Sequence, residues 1–125
     1  MTSIARLEHV NITASDGPRM AAFLEKLCGW KIRWEGPAIN DGHSIHLGGP
    51  AQYIALYTPK EGPQGEFPKG QPLNHIGVEV DDIDAAEAIV AAAGLIPFNH
   101  GDYEPGRRFY FFDWDGIEWE MVSYA

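Results

Sequence analysis

Three side chains have the type and placement that metal chemistry needs: two histidines and one glutamate. His9 and His75 occupy the same position in two similar segments, LEHVNITASD at 7–16 and LNHIGVEVDD at 73–82. Imidazole nitrogens are common ligands of divalent transition metals, and two copies facing one concavity would bring a pair of them together. A single strand histidine is more often a hydrogen-bonded structural residue, so both interpretations stay open.

Glu120 is the third candidate. The segment DWDGIEWE at 113–120 predicts a tight turn and then a strand whose side chains alternate between two faces. The apolar side chains that would face the helices are Ile117, Trp119 and Met121. Glu118 and Glu120 are left on the other face, where a carboxylate beneath aromatic rings is unfavourable unless it is paired or bound to a cation. A solvated edge strand is the alternative for both glutamates, and it is stronger for Glu118, which lies beside the turn.

The repeated segments also predict the elements that position these residues. Each alternates apolar and polar residues with the period of a half-buried strand. The apolar sets are Val10, Ile12 and Ala14 in the first segment and Ile76, Val78 and Val80 in the second. His9 and His75 should therefore point away from the apolar face.

A helix is predicted after each of these strands. Asp16 and Asp82 suit N-caps, because their carboxylates accept hydrogen bonds from the first free amides of a helix. Apolar residues at helical spacing follow in the first half, and an alanine-rich run at 85–93 follows in the second. Gly29 and Gly94 suit left-handed helix ends.

Three short strands are predicted after each glycine, so both halves have the order β-α-β-β-β. The predicted strands are 30–35, 43–47 and 52–58 in the first half, and 95–99, 107–112 and 117–123 in the second. The segment 59–72 between the halves is so rich in Pro and Gly that it is predicted to be a linker.

Composition narrows the function classes. The chain has 125 residues, 45% of them hydrophobic and 12% aromatic, which is typical of one globular domain. A net charge of −9 disfavours binding to nucleic acid or anionic membranes, because both depend on clustered cations. The sequence shows neither a membrane-length apolar run nor a secretory signal, so we expect a cytoplasmic protein. The single cysteine, Cys28, lies in an apolar run and is interpreted as a small core residue.

These features together resemble the vicinal oxygen chelate superfamily, which includes glyoxalases, fosfomycin-resistance and bleomycin-resistance proteins and extradiol dioxygenases. The matching features are the strand histidines, the Asp-capped helix, the Leu-x-Gly-Trp helix end and the Asp-x-Asp-Gly turn before a strand glutamate. The resemblance covers the whole chain. It implies an α+β fold with a single domain at 1–125. Within that domain, modules 1–58 and 73–125 would form a cupped mixed sheet around a divalent metal.

The resemblance also assigns roles to individual residues. His9, His75 and Glu120 would be the metal ligands, and the metal would be Mn, Fe, Zn or Ni. Tyr110, ten residues before the glutamate, matches a tyrosine that lines the site in these relatives, so Tyr110 and Glu120 are the predicted catalytic residues. The predicted substrate-binding residues are Tyr53, Tyr57 and Arg107. For Tyr110 a core aromatic is the alternative, and for Arg107 a solvated position at a strand end.

Departures from the family pattern bear on the chemistry. Ala55 stands where glyoxalase I has a fourth, glutamate ligand, and Gln52 stands where extradiol enzymes have an acid–base histidine. Trp114 and Ile117 replace a proline and an asparagine of the turn, which bears on turn geometry.

The sequence thus predicts a metal-dependent enzyme of glyoxalase type acting on a small oxygenated substrate that chelates the metal, with redox-neutral lyase, isomerase or transferase chemistry. Two alternatives remain. One is a ring-cleaving extradiol dioxygenase, and the other is a metal-free drug-binding protein of bleomycin-resistance type. The resemblance also implies a homodimer, with the modules paired either within a chain or across the dimer.

Overall fold

The computed structural model describes residues 4, 6–61, 73–103 and 106–125. The chain divides into two compact units, one of Met1–Glu25 with Gly29–Pro63 and one of Lys26–Cys28 with Gln64–Ala125. The boundary after residue 63 falls inside the predicted linker, of which 62–72 lies outside the described residues.

The first module, residues 1–58, has the predicted order β-α-β-β-β. Its elements are β1 (His9–Thr13), α1 (Gly17–Cys28), β2 (Lys31–Pro37), β3 (His43–Gly48) and β4 (Tyr53–Thr58). The sheet order is β1-β4-β3-β2, with β1 parallel to β4 and the other pairs antiparallel. A short 3-10 helix at Ile39–Asp41, which the sequence did not predict, connects β2 and β3.

The second unit repeats this arrangement. Its elements are β5 (Ile76–Glu79), α2 (Ile83–Ala92), β6 (Phe98–Tyr103), β7 (Gly106–Phe112) and β8 (Glu118–Ser123). The sheet order is β5-β8-β7-β6, and again the first strand is parallel to its neighbour while the rest are antiparallel. The predicted α+β class, with two β-α-β-β-β modules, is confirmed.

The helix ends are as predicted. The carboxylate of Asp16 accepts from the Arg19 amide at 3.0 Å, and that of Asp82 accepts from the Ala85 amide at 3.0 Å. Gly29 and Gly94 have φ of +71° and +85°, a conformation that glycine adopts without steric cost. Within the described residues, no helix is long and apolar enough to span a membrane.

One strand differs clearly from its prediction. The strand expected at 95–99 begins instead at Phe98 and continues to Tyr103. Pro97 explains the difference, because it has no amide hydrogen to donate to a neighbouring strand.

Each sheet has an apolar face and a polar face. In the first sheet Ile45, Leu47, Ile54 and Leu56 are buried, while the alternating positions carry His9, His46 and Tyr53. Cys28 is largely buried, and desolvation raises the pKa of its thiol to about 12, which fits the predicted packing role.

Candidate metal centre

A buried aspartate positions the strand that carries Glu120. The Asp113 carboxylate accepts from the amides of Asp115 and Ile117 at 2.9 and 3.0 Å, and from Trp119 Nε1 at 3.0 Å. Burial raises the pKa of Asp113, and these hydrogen bonds oppose that rise. They fix the turn, so that Trp119 enters the core and the next residue, Glu120, points to the opposite face.

His75 and Glu120 meet on that face. The distance between His75 Nε2 and Glu120 Oε1 is 3.0 Å, and the side chains are 33% and 12% exposed. This distance is the length of a hydrogen bond, and two ligands about 2.1 Å from an octahedral metal are also about 3.0 Å apart. The pair therefore has the spacing of neighbouring ligands, and its nitrogen and oxygen donors suit a divalent transition metal.

The hydrogen bond on the other ring nitrogen favours this role. His75 Nδ1 lies 2.8 Å from Asn74 Oδ1, a contact that orients the imidazole ring. Nε2 faces the Glu120 carboxylate at 3.0 Å, where a ring proton or a cation bound by both groups would link them. Such outer hydrogen bonds orient histidine ligands in metal sites.

His9 has the same arrangement in the first unit. Its Nδ1 lies 2.8 Å from Glu8 Oε1, and Glu8 occupies the repeat position of Asn74. A carboxylate only accepts, so in a neutral ring Nδ1 carries the proton and the lone pair lies on Nε2. Both predicted histidine ligands thus present Nε2, because the residue before each one holds the other nitrogen.

Arg108 is the arginine at this site. Its Nη1 donates to Glu120 Oε2 at 3.1 Å, and both side chains are largely buried. Arg107, predicted to bind substrate, lies on the other face of β7, where it donates to the two Asp84 oxygens at 2.9 and 3.3 Å. This contact raises the pKa of Arg107 and lowers that of Asp84. The structure therefore does not bring Arg107 to Glu120.

Glu118 is also part of this face. Its side chain is only 9% exposed, and Oε2 lies 3.9 Å from His75 Nδ1. The solvated position favoured for Glu118 is therefore wrong. The two-residue period of β8 predicted Glu118 on the same face as Glu120. The structure follows that period and not the proximity of the turn.

Tyr110 lies opposite Glu120 in the register of β7 and β8. Its ring meets the His75 ring edge to face, with centroids 5.7 Å apart. This placement puts a phenol next to two predicted ligands, while its catalytic role stays a prediction.

The remaining predicted residues lie in the first unit. Tyr53 stacks on His9 with centroids 4.8 Å apart, and the Tyr57 hydroxyl donates to the Ile39 carbonyl at 3.0 Å. Ala55 pairs with His46 as Glu120 pairs with Tyr110, so the first sheet has no carboxylate at this position. Desolvation, with smaller effects of His9 and Arg33, lowers the pKa of His46.

Within the described ranges, no group of three or more His, Cys, Asp or Glu side chains forms a set that could hold a metal. The second unit brings together two of the three predicted ligands, His75 and Glu120, and His9 belongs to the first unit.

Comparisons with known proteins address the fold and family. The family model described as the Glyoxalase/Bleomycin resistance protein/Dioxygenase superfamily matches residues 6–121. No curated protein matches the chain.

Several solved structures are similar to the chain. A glyoxylase/bleomycin resistance protein/dioxygenase domain from Frankia sp. EAN1pec has 23% identity and a TM-score of 0.82, covering 97% of this chain and 98% of that one. The fosfomycin resistance protein FosX from Mesorhizobium loti has 23% identity and a TM-score of 0.72, covering 96% and 92%. A mutant FosX from Listeria monocytogenes, complexed with Mn(II) and 1S,2S-dihydroxypropylphosphonic acid, has 17% identity and a TM-score of 0.76, covering 96% and 93%. At these identities the likeness shows the fold.

Proposed function

The chain belongs to the glyoxalase/bleomycin resistance protein/dioxygenase superfamily, and we propose that it is a metal-dependent enzyme acting on a small substrate with two neighbouring oxygens. The observation that carries the proposal is the contact between His75 Nε2 and Glu120 Oε1, 3.0 Å apart on a half-buried face. His9 would be the third ligand, since its Nε2 is left as a donor in the same way as that of His75.

The proposed chemistry is redox-neutral, as in a lyase, isomerase or transferase. A divalent metal, when bound, supplies a Lewis acid for oxyanion stabilisation and leaves open positions for two substrate oxygens. Manganese is the first metal to test, because the Listeria FosX structure contains Mn(II).

The chain's own residues would then orient the substrate and move protons. Arg108 holds the second oxygen of Glu120, which keeps that carboxylate turned toward His75. The Tyr110 hydroxyl is a hydrogen-bond donor for a substrate oxygen. Glu118 supplies a second carboxylate near His75, and since the first sheet carries Ala55 at the position matching Glu120, Glu118 is the proposed proton acceptor.

The site is also proposed to work in a cytoplasmic homodimer. Each chain carries one His9, one His75 and one Glu120, so a dimer would hold two equivalent sites whichever way the modules pair.

Metal titration tests the function. Metal-free protein is titrated with Mn(II), and free Mn(II) is followed by electron paramagnetic resonance. We expect about one Mn(II) per chain, and a loss of affinity of about 100-fold or more in His75→Ala, Glu120→Ala and His9→Ala, because each removes one of three ligands.

Glu118→Gln is the matched control, since it keeps the volume of a buried neighbour but is not a proposed ligand. Its Mn(II) affinity should stay within a few-fold of the wild type. Unchanged affinity in both His75→Ala and Glu120→Ala would contradict the metal site, and a severe loss in Glu118→Gln would contradict the choice of ligands.

A further inference from the structure

Tyr53 packs between two imidazole rings on the polar face of the first sheet. Its ring centroid lies 4.8 Å from that of His9 and 4.7 Å from that of His46, with interplanar angles of 12° and 24°. The two histidines come from β1 and β3, the strands on either side of β4. Arg33 Cζ also lies 4.6 Å from the centroid of the Tyr53 ring, within the range of a cation–π contact. The contacts of this ring are therefore with the protein's own side chains.

His9 has little support from its own strand. It is the first residue of β1, and β1 is the outermost strand in the order of its sheet. The His9 side chain is 43% exposed. A side chain in such a position samples several rotamers unless its neighbours restrict it, whereas a metal ligand must be held in one.

Two contacts restrict the His9 ring. The nearly parallel ring of Tyr53 limits the plane of the imidazole, and stacked rings of this kind attract each other beyond their buried area. Glu8 Oε1, 2.8 Å from Nδ1, limits rotation of the ring within that plane. Together they select the orientation in which Nε2 is available to a metal.

The backbone of Tyr53 is itself held on both sides. Its amide donates to the Glu8 carbonyl at 3.0 Å, directly before His9. On the other side Gly48 pairs with Tyr53, and a Cβ at Gly48 would lie 2.6 Å from Tyr53 Cα. The close approach of β3 and β4 thus depends on a glycine, and it sets where the Tyr53 ring lies.

The second module has a carboxylate at the matching position. Ala55 and Glu120 hold the same place in the pairing of β4 and β8 with the strand before each. Tyr53 lies two residues before Ala55, as Glu118 lies two residues before Glu120. A carboxylate can accept a proton, whereas the face of an aromatic ring cannot, so we expect this position to serve orientation in the first module.

We propose that Tyr53 is a positioning residue for the predicted ligand His9. This role replaces the substrate contact expected for Tyr53 from the sequence. The inference rests on the proposed metal-dependent function and identifies what holds the third ligand in place. Outer contacts of this kind change the metal affinity of a site by about 10- to 100-fold.

Mn(II) titration measures the effect. Tyr53→Leu should weaken Mn(II) binding about tenfold, because an apolar side chain remains but the ring does not. Tyr53→Phe keeps the ring and should stay within about twofold of the wild type. Tyr124→Leu removes an exposed aromatic elsewhere in the chain and is the control for general effects of such a change. Unchanged affinity in Tyr53→Leu, or an equal loss in Tyr53→Phe, would overturn the inference.

A double-mutant cycle tests whether Tyr53 acts through His9. In a His9→Ala background, Tyr53→Leu should cause no further loss of the affinity that remains, because the side chain that it positions is absent. A tenfold loss in both backgrounds would show that Tyr53 acts elsewhere, and it would leave the metal site standing.

A metal-free measurement keeps the inference testable if the metal proposal fails. In isotopically labelled metal-free protein, three-bond nuclear magnetic resonance couplings report the χ1 rotamers of His9, and those of His75 serve as an internal control. We expect one His9 rotamer in the wild type and in Tyr53→Phe, and averaged couplings in Tyr53→Leu, with His75 unchanged. This result supports the role of Tyr53 even if Mn(II) does not bind. A single His9 rotamer in Tyr53→Leu would contradict it.

Discussion

Glu120 has one partner on each carboxylate oxygen. His75 contacts Oε1 at 3.0 Å and Arg108 donates to Oε2 at 3.1 Å. In a metal-loaded protein Glu120 Oε1 would bind the metal instead of His75 Nε2. The hydrogen bond from Arg108 to Oε2 can persist and orient the ligand. Arg108 therefore has a structural role without metal and a positioning role with it.

Replacing Arg108 with methionine should expose both roles. The change keeps an unbranched chain but leaves a largely buried carboxylate without its Nη1 donor, so the free energy of unfolding of metal-free protein should fall by about 1–3 kcal/mol for this contact. Mn(II) affinity should fall by about 10- to 100-fold. Urea denaturation and Mn(II) titration measure the two effects.

Arg107→Met provides a control from the adjacent residue. Its contact with Asp84 is exposed and lies on the other face, so both measurements should change little. Similar losses in the two variants would contradict the role of Arg108.

His46 gives a prediction about pH. Its folded-state pKa is lowered from the ordinary value of about 6.5, chiefly by desolvation and also by His9 and Arg33. The unfolded chain therefore binds a proton at a higher pH than the native state. The stability contributed by neutral His46 is present above about pH 6.5 and is lost as the pH falls through the lower folded value.

His46→Phe should reduce this dependence, because phenylalanine keeps a ring between Trp34 and Tyr53 but does not titrate. Urea denaturation of metal-free protein at intervals between pH 5 and 7.5 should show a smaller loss of stability in the variant than in the wild type. Parallel curves for the two proteins would exclude His46 as a source of the pH dependence.

Individual site residues could be predicted from the sequence where the two-residue strand period determined which face of the sheet they occupy. The period placed Glu118 and Glu120 together and His9 opposite the apolar set, as the structure has them. The period could not decide whether Arg107 or Arg108 lies beside Glu120, because that depends on which face of β7 packs against α2. The ring contacts that link Trp34, His46, Tyr53 and His9 were also missed, since these residues come from separate strands and meet only through the sheet order.

At the scale of elements, the hairpin between β3 and β4 positions Tyr53, whose ring stacks on the predicted ligand His9. A Cβ at Gly48 would collide with the Gln52 carbonyl oxygen and would lie 2.8 Å from Tyr53 Cβ. Gly48→Ala should therefore lower the free energy of unfolding by about 1–3 kcal/mol, as overpacking does. It should also displace Tyr53, the ring that stacks on His9.

Gly77→Ala is the matched control, because no described heavy atom lies within 4 Å of a Cβ there and its φ is not in the left-handed region. It should leave stability unchanged or slightly increased, since alanine restricts the unfolded chain. Thermal unfolding of the two variants makes the comparison, and equal losses would show that the close approach at Gly48 is not the cause.

The elements themselves were largely predictable from local chemistry. Asp caps, glycine ends and apolar periodicity identified both helices, although α2 begins at Ile83 and the prediction began at residue 85. The start of β6 was misplaced because the apolar residues before Pro97 suggested a strand that proline cannot pair. The 3-10 helix was missed because it contains Asn40 with φ of +57°, a backbone choice that tertiary contacts such as the Tyr57 hydroxyl bond select.

At the scale of the whole molecule, the duplicated modules raise the question of which copies supply each site. Trp34 and the predicted ligand His9 are exposed side chains of the first unit. A chain with a net charge of −9 meets a like-charged copy in a dimer, so salt should favour association by screening the repulsion.

Mixing two defective variants identifies the source of the ligands. We expect His9→Ala and Glu120→Ala to bind Mn(II) poorly on their own, and an equal mixture, unfolded and refolded together, to regain tight sites. In a mixed dimer that shares ligands, one site would combine His9 from one chain with His75 and Glu120 from the other, and the second site would lack both. Random pairing makes about half of the dimers mixed, so about a quarter of all sites should recover. Recovery requires ligands from two copies, because every single chain in the mixture lacks one of them. If the mixture binds no more Mn(II) than its components while size exclusion shows dimers, each site draws its ligands from one chain, and the sharing of ligands between copies is wrong.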